Sequence, residues 1–251
     1  AGVAHGVPLR YRNPPVVHFT VPPPLRGRRR PDYHAHSAAL EANQVITKHG
    51  VPMTSLTRTI IDVMRTTPYI WAVIAADWAL GHGVSREALL AFADVHRGAH
   101  GVPVLRQAAL FADGDAQSPA ESASRVSMAR AGLPAPVLQF EVISPHGWEA
   151  TSDFGWPAHG VVGEVDGKAK YGALLRPGRS ARDAIMAEKA REEHIRQAGW
   201  WPVRWTWAKA FNPPALAALI EGAFANPRSA GRPDRHRFFV PTKSTLADEI
   251  P

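Results

Sequence analysis

Three carboxylates, Asp153, Glu164 and Asp166, stand close together in the second half of the chain. Glu164 and Asp166 are two residues apart, and residues i and i+2 of a β-strand project from one face. Asp153 ends the preceding strand-like run, so a hairpin turning through Pro157-Ala-His-Gly160 brings it beside them. Carboxylates gathered in this way repel one another, and their pKa values rise unless a cation sits between them. Mg2+ or Mn2+ resolves the conflict, because hard divalent cations prefer carboxylate and water oxygens. Asp153, Glu164 and Asp166 are therefore the candidate metal ligands. Lys168 and Lys170 follow at once in Asp166-Gly-Lys-Ala-Lys170. A lysine beside a metal-bound water can orient or deprotonate it and offset charge in a phosphoryl-transfer transition state. Gly163 and Gly167 leave room for a backbone or ligand to approach closely. The competing reading is a surface hairpin in which the three acids pair with Lys168, Lys170 and Arg182, an ordinary and weak arrangement. Position argues against it: Glu164 directly follows Val161-Val-Gly163, where a carboxylate is costly unless paired or metal-bound.

The elements that must position these groups lie on either side. Ser118-Pro-Ala-Glu121 has Ser at N-cap, Pro at N1 and Glu at N3, a complete capping box. It predicts a helix to Ala131, ended by Gly132-Leu-Pro134. Strands are predicted over 137–143, 149–154 and 160–165, the last apolar enough to be central in its sheet. Ser180-Ala-Arg-Asp183 opens a long helix to Ala198, whose Glu188-Lys189 and Arg191-Glu192 are placed to reach the same face. Trp201 to Trp207 reads as a fourth strand, and Pro213 to Phe224 as a closing helix. Trp200, Trp201, Trp205 and Trp207 are either base-stacking platforms or core and sheet-cover residues, and Arg204 between them is a candidate phosphate contact. The second half is thus a compact α/β unit over residues 116–225, a normal domain size.

The first half, residues 1–115, reads as mostly helical with a strand at Val16 to Val21. Helical spacing follows Val51-Pro-Met-Thr54 and recurs after Pro68, Ser85 and Gly101. Its histidines, His34, His36, His82, His96 and His100, are scattered, with no HExxH-type pair to suggest a metal site. Arg26-Gly-Arg-Arg-Arg30 puts Arg28, Arg29 and Arg30 in a basic loop, which is either a phosphate contact or a solvated turn. Asp113-Gly-Asp-Ala-Gln117 is the predicted boundary, and residues 226–251 read as a loose basic tail.

Composition narrows the classes. The chain has 251 residues, no cysteine, and 29 Lys+Arg against 22 Asp+Glu for a net charge of +7. Disulfides, thiolate metal sites and a Cys nucleophile are excluded. No apolar run is long enough for a membrane span, and the first residues lack the form of a signal peptide, so a cytoplasmic protein is expected. The basic balance favours nucleic acid, although Arg outnumbers Lys 23 to 6, as a GC-rich genome also dictates. GxxxxGKS, GxGxxG and GxSxG patterns are missing, which argues against nucleotide hydrolases, dinucleotide enzymes and serine hydrolases.

The order helix with Glu, strand with Asp, strand with Glu-x-Asp, then helix, resembles the PD-(D/E)XK nuclease core. Ser118-Pro-Ala-Glu-Ser122, Ala131-Gly-Leu-Pro134, Asp153-Phe-Gly-Trp-Pro157, Glu164-Val-Asp-Gly167, Arg191-Glu192 and Gly199-Trp-Trp-Pro-Val-Arg204 are similar to actinobacterial proteins with a very-short-patch-repair-endonuclease-like domain. Val51-Pro-Met-Thr-Ser55 with Arg58-Thr-Ile-Ile-Asp62 resembles the middle segment of AbiEi-family antitoxins. Together the matches run over about residues 5–210. The resemblance implies an α+β fold, with a small mixed sheet flanked by helices behind the helical first half. It implies a Mg2+- or Mn2+-dependent DNA endonuclease, or else a non-catalytic antitoxin or regulator that binds DNA or a toxin partner. It makes Asp153 and Glu164 metal ligands, Asp166 a ligand or water-positioning group, and Glu121 an outlying acid on the first helix. Lys189 and Arg191 join Arg204 as nucleic-acid contacts. The usual Lys sits two residues after the Glu; Asp166 holds that place here, so Lys168 or Lys170 would have to substitute. Proteins of this type begin with a winged helix, so the sequence is expected either to start after one or to lack that part.

Overall fold

A computed structural model describes residues 1–11, 16–144, 147–166 and 181–226. The chain opens with a one-turn helix, α1 (Gly2–His5). Strands β1 (Val17–Val21), β2 (Arg28–Arg29) and β3 (Tyr33–Ser37) make a three-stranded sheet in the order β1-β3-β2, with β1 parallel and β2 antiparallel to β3. A hairpin of β4 (Val45–Lys48) and β5 (Val51–Thr54) turns through His49 and Gly50, whose φ values of 53° and 76° fit a two-residue hairpin turn. Of these strands the sequence predicts only β1. The others are short and exposed or half-buried, without an alternating apolar face to announce them.

Helices α2 (Leu56–Thr66), α3 (Tyr69–Gly81), α4 (Arg86–Val95) and α5 (Val102–Phe111) follow as expected. They enclose a first core around Ile60, Met64, Val73, Leu89 and Leu105. The N-cap of α5 is Gly101, which has φ 75° and where an added Cβ would lie 2.0 Å from the Arg65 carbonyl oxygen. Only glycine fits there.

The second half comprises α6 (Pro119–Arg130), β6 (Val137–Ile143), β7 (Glu149–Trp156), β8 (Val161–Asp166), α7 (Ala181–Gln197), β9 (Trp201–Thr206), α8 (Trp207–Ala210) and α9 (Pro213–Phe224). The four strands form one mixed sheet in sequence order. β6, β7 and β8 are antiparallel, and β9 runs parallel to β8. A parallel pair needs a crossover, and α7 lies in that connection. One sheet face, with Phe154, Trp156, Val161, Val165, Val203 and Trp205, packs against α6 and α9 through Ala123, Met128, Leu216 and Ile220. The other, with Phe140, Val142 and Val162, packs against Ile195 and Ala198 at the end of α7. The molecule is mixed α and β, as expected.

The tryptophans serve the core. Trp205 is fully buried, donates to the Ser124 hydroxyl at 2.8 Å and stacks on Phe154 at 5.3 Å. Trp200 is buried edge-on to Phe140. The space beside Gly163 is filled in the same way, by the rings of Trp205 and Trp156, so it admits no ligand. The predicted tail lies outside the described residues from position 227 onward, as does Gly167.

Candidate functional site

β8 alternates across the sheet. Val161 and Val165 face α6, while Val162, and with it Glu164 and Asp166, faces α7. Glu164 is a parallel register neighbour of Arg204 on β9. Its carboxylate is only 12% exposed and is held from two sides. Arg204 Nη2 donates to Oε2 at 2.6 Å, and Arg191 of α7 donates Nη1 to Oε1 and Nη2 to the Thr151 carbonyl at 2.8 Å. Glu188, one turn before Arg191, accepts from Arg204 and lies 3.8 Å from Arg191. The result is a closed set of two carboxylates and two guanidinium groups spanning β8, α7 and β9. Among the described residues Glu164 pairs with Arg191 and Arg204 rather than with Arg182; Lys168 and Lys170, the other partners expected of a surface hairpin, lie outside them.

The hairpin through Pro157 to Gly160 forms as expected, with Phe154 opposite Gly163 and Trp156 opposite Val161. Asp153 is therefore one step beyond the last paired residue. Its Oδ2 accepts the Val165 N–H at 2.8 Å, so a side chain continues the ladder where the β7 backbone leaves it. Asp166 shares the Glu164 face and stands in register with Thr206. Lys168 and Lys170 lie outside the described residues.

Glu121 is buried at the start of α6. Its N–H bonds the Ser118 hydroxyl at 3.2 Å, but its carboxylate reaches the Gln117 N–H at 2.9 Å rather than that of Ser118. The same oxygen accepts from Gln139 of β6 at 3.0 Å. Gln139 has φ 48° and falls between the register pairs Leu138–Phe154 and Phe140–Ser152, beside Asp153. Glu121 thus lies on the α6 side of the sheet and Glu164 on the α7 side, and Glu121, Asp153 and Glu164 each have polar partners.

As a donor set, Asp153 and Glu164 have the hard-oxygen chemistry Mg2+ or Mn2+ requires. Both Glu164 oxygens are engaged by guanidinium groups, so a cation there needs Arg191 and Arg204 to turn away. Among the described residues no three His, Asp or Glu side chains form a ready metal-binding group.

Of the basic candidates, Arg191 and Arg204 join this cluster, and Lys189 is exposed on α7. Arg28 and Arg29 form β2, and Arg30 follows it, all exposed. The sheet does collect three of the histidines read as scattered or passed over. His18 stands opposite His34, and His36 lies two residues on, on the same side. The sequence signal was His34-Ala-His36 at strand spacing. The partner His18 is 16 residues from His34, and only the pairing of β1 with β3 brings it near.

Comparison with known proteins places the chain in no family. No family model matches, and no solved structure matches. An uncharacterized protein of Mycobacterium tuberculosis strain CDC 1551 is 32% identical over 104 residues, 41% of this chain and 35% of the relative. Its counterpart in strain H37Rv gives the same figures. The matched region is about a third of these relatives' length.

Proposed function

We propose that the chain is a divalent-metal-dependent DNA endonuclease-like protein that hydrolyses phosphodiester bonds. The observation that carries this reading is the placement of Asp153 and Glu164 on neighbouring strands of a four-stranded mixed sheet, with Arg191 and Arg204 on Glu164. Carboxylates for a cation and guanidinium groups for a phosphate are the two components that metal-assisted phosphodiester hydrolysis needs. A Mg2+ or Mn2+ ion held by Asp153 and Glu164, with Asp166 on the same face, would supply an activated water. The chain's own residues supply the rest. Arg191 and Arg204, released from Glu164, would grip the phosphate, and Glu188 would keep Arg204 oriented meanwhile. Lys189, exposed on α7, is a further candidate contact to the nucleic-acid backbone.

A second reading is favoured by a specific observation: Glu164 is already neutralised from both sides. In that reading the nuclease-like sheet is non-catalytic, and the protein is an antitoxin or regulator that binds DNA or a toxin protein. Supercoiled-plasmid nicking with Mg2+ or Mn2+ separates the two. Cleavage by the wild type that is lost in Glu164→Ala, with the fold retained by circular dichroism, supports the endonuclease. Cleavage that survives Glu164→Ala overturns the site. DNA binding that weakens with salt, without turnover in any divalent metal, favours the regulator.

A further inference from the structure

The histidines of the amino-terminal sheet form a cluster that the carboxylate site does not use. We infer that His18, His34 and His36 constitute a binding site for a late transition-metal cation of the Zn2+ class. His34 and His36 are two residues apart on β3, so their side chains leave the same face of the sheet. His18 on the parallel neighbour β1 is in direct register with His34. The sheet thus presents three imidazoles from two adjacent strands at one spot.

The separation of His18 and His36 is close to that of a chelate. His18 Nδ1 and His36 Nε2 are 3.0 Å apart. Two nitrogens bound to one Zn2+ at 2.0–2.1 Å in a tetrahedron stand about 3.3 Å apart. A cation replacing the shared proton therefore asks for a few tenths of an ångström of separation and a tilt of the rings. The His34 ring centroid is 5.0 Å from that of His18, at 68° to it, so His34 has to turn to ligate together with the other two. In their present rotamers the three do not form a metal-binding group. His18 and His36 are exposed and His34 half-buried, so the cation enters from solvent and water completes its coordination.

Electrostatics suit a late transition metal. Imidazole is a good ligand for Zn2+, Cu2+ and Ni2+ and a poor one for Mg2+. Partial desolvation by its neighbours, mutual repulsion and Arg29 hold His18 below its ordinary pKa. His36 is lowered chiefly by the same partial desolvation, against the opposing pull of Asp62. Arg29 opposes a cation here and Asp62 of α2 favours it, so the affinity is modest and set by the ligands themselves.

The test uses the full chain freed of metal with a chelator, and Zn2+ as the probe, titrated in competition with a chromogenic chelator. The wild type should take up Zn2+ at one site. Each of His18→Gln, His34→Gln and His36→Gln should weaken that site at least about tenfold. His82→Gln and His96→Gln, which alter histidines elsewhere, should leave it unchanged. Glu164→Gln should also leave it unchanged, which separates this cation from one at the carboxylates. Co2+ should give the visible absorption of a nitrogen-ligated, near-tetrahedral ion, and His36→Gln should abolish it. Single variants are compared with the wild type by circular dichroism, so loss of binding is not confused with loss of fold. A wild type that does not compete for Zn2+, or single variants that bind it as tightly as wild type, would overturn the proposal.

Discussion

Gly163 shows how closely the surroundings of the carboxylates are packed. A Cβ added there would lie 2.7 Å from Trp205 Cη2 and 3.0 Å from Trp156 Cζ3. Those rings have no empty space to retreat into, because Trp205 is fenced by Phe154 and tied to Ser124. Gly163→Ala should therefore destabilise the protein by about 1–3 kcal/mol, the range for overpacking a filled core. Urea unfolding monitored by tryptophan fluorescence would measure it, and an unchanged midpoint would refute the steric argument. The requirement at Gly163 is for tight packing rather than for ligand access. Glu164, the next residue, faces the opposite way and meets charge instead of aromatic rings. Adjacent positions on β8 thus serve the core and the candidate site by turns, as the strand's period of two dictates.

At the scale of elements, the small amino-terminal sheet is expected to respond to acid. His18 and His36 have folded-state pKa values below the ordinary histidine value of 6.5. A group whose pKa is depressed on folding contributes stability that is present above its unfolded pKa and is lost as pH falls through the folded value. The groups facing the pair are Arg29 from β2, His34 from β3, Asp62 from α2 and the terminal amine, and all but Asp62 resist a second positive charge. Lowering the pH from 7 through and below 6.5 should loosen β1 against β3 ahead of the larger sheet. Hydrogen exchange of the Phe19 and Ala35 amides against those of Val162 and Val203 would read this directly. Equal protection changes in the two sheets, or no loss in either, would count against it. Replacing both histidines with glutamine should flatten the pH dependence.

At the scale of the whole molecule, two helices hold the halves together. Helix α3, apolar nearly all round, contributes Val73 and Ala76 to the first core and Ile74 to the second. Helix α6 contributes Val126 to the first and Ala123 and Met128 to the second. Between them lies a buried ion pair. Asp77 Oδ2 accepts from Arg125 at 2.8 Å, and Asp77 Oδ1 accepts the Asp113 N–H at 2.8 Å. Burial pushes the Asp77 carboxyl up, while Arg125, the Asp113 N–H and the Ser122 hydroxyl pull it back. Asp77→Ala leaves the Arg125 guanidinium, 12% exposed, without its counter-ion. The expected cost is about 3–5 kcal/mol, whereas replacing both partners by apolar residues should restore much of it. Because the cores share helices, far-UV circular dichroism and tryptophan fluorescence should report one transition that moves as a unit in Asp77→Ala. Two separated transitions would show that the ion pair is not the joint between halves.

Much of the architecture was legible in the sequence because it rests on local chemistry. The capping residue Ser118, the apolar spacing of α2 to α5, the partial alternation of β6 and the apolar run of β8 depend on neighbours a few positions away. They predict the elements almost to their ends. The candidate carboxylates could be named from type and spacing, and the hairpin that sets Asp153 beside Glu164 follows from its turn. What the tertiary structure alone decided is what each charge meets. Arg204 reaches Glu164 only because β9 lies parallel beside β8, and Arg191 only because α7 crosses above. His18 meets His36 only because β1 pairs with β3, and Asp77 meets Arg125 across 48 residues of chain. Hydrophobic period and helix capping are written in short windows of sequence. The partner of a side chain is set by strand order and helix crossing, which depend on the packing of the whole chain at once.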